Sequence, residues 1–198
     1  MKHHSLTITV SLAILSTTLA ATEPRLSADS QPKAAFAFRG ADYFHRWSQS
    51  DQHEFTPEKQ EDLKKWSDMI TLNGYPDVND GDRLAVKANA VLENYKSHQA
   101  IVLKTDSVPR TADRPAEHLI AVVFARPTFI EVAFARFKLV DGAGSSFVFS
   151  HRIYGEKIGD QMSAWLSANG PDIEKALMEW SSMPSPKTFR QELLRTRS

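Results

Sequence analysis

Cysteine is absent from the 198 residues. No disulfide can staple this chain, and no thiolate is there to act as a nucleophile or a metal ligand. A charge imbalance is missing as well: 24 Lys and Arg face 24 Asp and Glu. Proteins that grip nucleic acid neutralise phosphates with a basic excess or stripe, so neither DNA nor RNA is an expected partner. Long apolar runs are lacking too. The longest, Leu6 to Leu15, falls short of the roughly 20 residues that a membrane-spanning helix needs. Internal repeats and long low-complexity tracts are not found.

That short apolar run has a specific setting. Lys2, His3 and His4 precede it, and Ser16 to Ala21 follow it as a small-residue stretch. Basic start, apolar middle and small-residue end are the order of a secretory signal. Thr18 and Ala20 occupy the two recognition positions, so cleavage is expected after Ala20; the alternative cut after Ala21 places Leu19 at the outer position. Removal of residues 1–20 takes away Lys2 and no acid, leaving 23 basic against 24 acidic residues. No membrane span is expected after cleavage, and no cysteine follows the run to take a lipid anchor. An exported chain without cysteine fits a bacterial periplasm. Residues 21–35 are read as a flexible leader, 36–182 as a single domain, and 183–198 as a flexible basic tail.

Periodicity gives the fold class. Phe44 to Phe55 reads as an irregular strand or hairpin, and Trp66 to Asn73 as a strand ended by Asn73-Gly74 and Pro76. Leu84, Ala88, Val91, Leu92 and Tyr95 recur at helical spacing, so an amphipathic helix is expected over Asp82 to His98, with Asp80 or Asp82 as its N-cap. Four strands follow: Ala100 to Lys104, His118 to Ala125, Phe129 to Val140 and Ser146 to Tyr154. Asp141-Gly142 is the hairpin turn between the last two. In the last strand Phe147, Phe149, His151 and Ile153 share one face and Arg152 points to the other. Met162, Trp165 and Leu166 mark one helix and Ile173, Leu177 and Trp180 a second, with Gly170-Pro171 as the break. The expected architecture is α+β: a mostly antiparallel sheet covered by an amphipathic helix and a C-terminal helical pair.

Motifs for chemistry fail on spacing. In Asp77 to Asp82, glycine stands fifth and Ala88 twelfth, where a calcium loop needs glycine sixth and glutamate twelfth. Gly144-Ser145-Ser146 lacks the second glycine of a nucleophile elbow. No histidine spacing suits zinc, so neither metal nor cofactor is expected. What remains is a pair of similar dipeptides, His45-Arg46 and His151-Arg152, each inside a predicted strand. If those strands are neighbours, the four side chains would line one pocket for a small anionic ligand, since guanidinium binds carboxylate or phosphate through paired donors.

The order of a strand pair, one helix, a meander of strands and a terminal helix resembles PsbP-like domains, including their bacterial periplasmic relatives. The features that carry it are the helix Asp82 to His98, the strand Ala100 to Lys104, the hairpin Leu119 to Val140 and Phe147 to Ile153 before Met162 to Trp165. The resemblance implies a binding or assembly module without catalytic residues. The functional expectation is a non-enzymatic periplasmic accessory module engaging another envelope protein. The alternative is a small-molecule or lipid-binding domain. A third reading is a hydrolase with His45 or His151 as base and Ser150 as nucleophile.

Overall fold

The computed structural model describes residues 33–189. The predicted signal, nearly all of the leader and residues 190–198 lie outside that range. The order is β1 (Phe36–Phe38), β2 (Ala41–Gln49), β3 (Gln52–Pro57), β4 (Asp68–Tyr75), α1 (Gly81–Ser97), β5 (Ile101–Val108), β6 (Glu117–Arg126), β7 (Phe129–Val140), β8 (Ala143–Tyr154) and α2 (Gly159–Glu179). The eight strands form one sheet in the order β1-β2-β3-β4-β8-β7-β6-β5, and every pairing is antiparallel. Two meanders are thus joined at β4 and β8. α1 takes the chain from the middle of the sheet to the far edge at β5.

Side-chain alternation divides the strands between two cores. Leu119, Phe134, Phe147, Phe149, Ile70 and Leu72 pack with Met162, Ile173 and Leu177 of α2. Ile120, Val122, Ala133, Ala135, Phe137 and Val148 pack with Leu84 and Ala88 of α1. Because neighbours along a strand face opposite ways, the two helices lie on opposite faces of the sheet. The mostly antiparallel α+β expectation therefore holds at the level of class, with helices on both faces.

Local chemistry explains the element ends. Asp80 caps α1: its carboxylate Oδ1 accepts from the Arg83 N–H at 2.8 Å, as an extended residue before a first turn does. Of the five residues predicted to form the helix's apolar stripe, Leu84 and Ala88 are buried, and Val91, Leu92 and Tyr95 are half-buried against the same core. Asp141-Gly142 closes a two-residue hairpin in which Val140 faces Ala143. Both turn residues have positive φ, 51° and 77°, the pair of angles that matches the twist of the flanking strands.

Three expectations change. The C-terminal helical pair is one helix of 21 residues with Pro171 inside it. Both halves bury apolar residues against one face, so packing holds the axis through a proline that removes a backbone donor. The Asn169 side-chain amide meanwhile donates to the Trp165 carbonyl at 2.9 Å. Residues 183–189, read from the sequence as the start of the tail, bring two side chains to the core. Met183 packs on the α2-side core, and Phe189, 9% exposed, is part of it. The Phe189 ring meets Phe55, His45 and His53 with centroids 4.9, 5.2 and 5.0 Å away. Trp66, expected as the first residue of the strand that ends at Asn73, precedes β4 and packs against Arg152.

Candidate functional site

α1 packs on β6 and β7 but stops short of the middle of the sheet. The same face of β3, β4 and β8 is only partly covered, and a groove of about 590 Å³ runs there between the end of α1 and the sheet. Strand register sets what lines it. Gln52 faces Asn73 and Glu54 faces Thr71 across β3–β4; Thr71 in turn faces Val148 and Asn73 faces Ser146 across β4–β8. Arg152 faces Glu131 and Ser150 faces Ala133 across β8–β7. The floor therefore mixes amides, hydroxyls and the Arg152–Glu131 ion pair with the apolar side chains of Ala133 and Val148, next to the Glu54 carboxylate, and Tyr95, Phe124 and Phe129 wall its far side.

Arg152 is the most constrained of these side chains. Its Nε donates to Glu131 Oε2 at 2.7 Å. Its guanidinium carbon lies 4.0 Å from the Trp66 ring centroid and 4.4 Å from that of Phe129, within the range of favourable cation–π contact. The side chains of Arg152 and Glu131 are 20% and 16% exposed, so the pair is partly desolvated yet reachable from the groove. At the rim, Tyr75 Oη and Asn73 Nδ2 both meet Ser146 Oγ, at 2.9 and 3.0 Å. Burial raises the Tyr75 phenol above its ordinary value, against the opposing hydrogen bond to Ser146. Burial likewise raises the carboxyl of Glu54 above its ordinary 4.5. The Gln52 amide and Arg152 pull it down, and Glu131 pushes it up.

The four residues singled out in the sequence do not share a site. β3 and β4 separate β2 from β8, three strand spacings or about 14 Å. Each dipeptide is also split between the faces of the sheet. His45 lies on the α2 side, its Nε2 2.6 Å from Ser48 Oγ, which is 2.6 Å from His53 Nδ1. Arg46 sits at the β-bulge between His45 and Trp47. It donates to Thr56 Oγ1 and the Pro57 carbonyl at 2.8 and 3.0 Å. His151, also on the α2 side, stacks on Trp165 with ring centroids 3.8 Å apart and planes 2° from parallel, and its Nδ1 lies 2.8 Å from Asp68 Oδ1. Arg152 alone of the four lines the groove. Ser150 opens on the groove face and both histidines on the other, so neither imidazole is placed to take a proton from its hydroxyl.

Gln52, Thr71, Asn73 and Glu131 were missed in the sequence. For Thr71 and Asn73 the signal was present as parity, since they alternate with buried Ile70 and Leu72; Gln52 and Glu131 reach the groove only through strand register.

No family model and no curated protein matches the chain. Among solved structures, the Ran-binding protein Mog1p of Saccharomyces cerevisiae aligns with a TM-score of 0.44 at 9% identity, covering 69% of this chain and 82% of that one. Human STARD10 aligns with a TM-score of 0.28 at 8% identity, covering 77% and 78%. At these scores neither bears on what this chain does. Among the described residues no helix is long and apolar enough to cross a membrane, and no cluster of His, Asp and Glu has the arrangement of a metal site.

Proposed function

We propose that this chain is a non-catalytic binding module of the bacterial periplasm that holds a small polar ligand in the groove beside α1. The observation that carries the reading is the half-covered sheet face. Its open part is floored mainly by amides, hydroxyls and a fixed ion pair, with Ala133 and Val148 the apolar residues it shares with the core under α1. A concave site of this volume with a few positioned polar groups is the usual form of a small-ligand site. The groove's strongest charges, Arg152 and Glu131, bind each other at 2.7 Å, an arrangement suited to holding a ligand in place. The PsbP-like kinship belongs to the same proposal and is supported by the element order alone. The periplasmic assignment rests on the signal-like residues 1–20 and the lack of cysteine.

The reading is tested by native mass spectrometry of the protein purified from its own host. A small-molecule adduct is expected on the wild type and its loss on Thr71→Trp, which fills the groove floor. An adduct unaffected by Thr71→Trp, or none in repeated preparations, argues against the groove as a binding site. N-terminal sequencing of the same material is expected to begin at Ala21. A chain that keeps Met1 in the cytosolic fraction overturns the compartment.

A further inference from the structure

We propose that the groove takes a neutral, hydroxyl-rich ligand of the saccharide class, with a vicinal diol straddling the Arg152–Glu131 pair. The proposal rests on the groove being a binding site and goes on to name its ligand.

Charge is the first argument. Arg152 is already neutralised by Glu131 at 2.7 Å. A carboxylate or phosphate approaching its guanidinium also approaches the Glu131 carboxylate, in a partly desolvated cleft where like charges repel strongly. A cation drawn to Glu131 meets Arg152 in the same way. A diol meets neither penalty: one hydroxyl donates to the carboxylate while its neighbour accepts from the guanidinium, and both hydrogen bonds are charge-assisted. Arg126, the other guanidinium of the groove, donates to the His98 carbonyl at 3.0 Å and lies 5.4 Å from the Phe124 ring centroid.

The remaining lining agrees. Gln52, Thr71, Asn73 and Ser150 are uncharged and bring both donors and acceptors to the floor. That is the complement of a ring that carries a hydroxyl on each carbon. A fatty acyl chain would strip water from these groups without replacing their hydrogen bonds, at a cost that apolar contact does not recover. The aromatic wall supplies the flat apolar surface that the C–H face of a sugar ring covers.

The test is titration of the ¹⁵N-labelled protein with four probes: maltose, cellobiose, glucose 6-phosphate and octanoate. Maltose or cellobiose is expected to shift amides of β4, β7 and β8 around Thr71, Glu131 and Arg152. Asn73→Ala or Gln52→Ala is expected to weaken that binding up to about tenfold, the equivalent of one good hydrogen bond. Glu131→Gln is expected to weaken it more. Because that variant disturbs a half-buried pair, the rim variants Asn73→Ala and Gln52→Ala keep the test open if it fails to fold. Groove shifts given by glucose 6-phosphate or octanoate but by neither neutral sugar overturn the neutral saccharide as ligand and leave the groove standing as a site. Sugar-induced shifts confined to other surfaces, or silence with all four probes, overturn the proposal. The adduct experiment on Thr71→Trp decides the groove separately.

Discussion

Arg136 shows how a single charged side chain can be needed inside a core. It is 4% exposed on the α2 side of β7, and its Nη1 donates to the carbonyls of Leu177 and Trp180 at 2.7 and 3.1 Å. These are among the last carbonyls of α2, which have no partner within the helix. Its Nε donates to Glu117 at 2.7 Å. Arg136→Leu would leave Glu117 with only Lys138, 3.7 Å from its Oε1, and would take the donor from the helix end. Urea unfolding is expected to show a loss of about 3 kcal/mol, the low end of the cost of breaking a buried pair; a loss below 1 kcal/mol would show that water and Lys138 replace the guanidinium. Glu54 gives a pH signature. Burial raises its carboxyl above 4.5, so its contribution to stability is fully present below that pH and is lost as pH rises through the raised value. Glu54→Gln is expected to flatten the decline in the urea midpoint above pH 4.5 and to leave that variant more stable at neutral pH. His118, lowered from 6.5 by burial, acts in the opposite direction and costs stability as pH falls below 6.5. None of these roles could be read from residue type. Arg136 was visible in the sequence only as a charge on an apolar parity, and its meaning depends on where a helix 41 residues later ends.

At the scale of elements, the sequence was most readable where one periodicity acts alone. The α1 cap at Asp80, the Asp141-Gly142 turn and the facing of Arg152 each follow from a handful of neighbouring residues. β1 was not visible, because three residues, Phe36–Phe38, are too few to show a period. Pro171 misled for a different reason: proline's local cost was outweighed by distant packing of Met162, Ile173 and Leu177 on one sheet face. That cost is still present in the folded protein. An interior proline removes one backbone hydrogen bond and crowds the carbonyl four residues earlier, a loss of about 3 kcal/mol, while it stiffens the unfolded chain by up to about 1 kcal/mol. Pro171→Ala, with its N–H free to reach Ser167, is expected to raise stability by about 1–2 kcal/mol and the thermal midpoint with it. An unchanged midpoint would mean that the helix bends too far at this point for the new bond to close.

Across the whole molecule, what the sequence concealed was long-range arrangement. Strand order decides that His45 and His151 stand three strands apart, and only the register of β3, β4, β8 and β7 brings Gln52, Thr71, Ser150 and Arg152 to one groove. The same order leaves β5 as an edge strand paired with β6 alone. All eight of its residues are exposed, including Ile101 at 60% and Leu103 at 46%. A long apolar edge invites pairing with another chain, and proteins guard such edges with bulges and lysines. Both devices are here: the register slips between Val102 and Lys104, and the Lys104 ammonium is held by Glu174 at 2.7 Å and faces Asp106 at 3.6 Å. Lys104→Val would extend the apolar run and remove the charge that must be desolvated when a second strand docks. Sedimentation velocity over a concentration series is expected to show self-association of this variant at concentrations where the wild type shows less. Lys104→Glu separates the causes, because it discards the Glu174 pairing but keeps a charge on the edge. If the glutamate variant associates as strongly as the valine variant, the guard is the anchoring of β5 to α2 and not the charge itself.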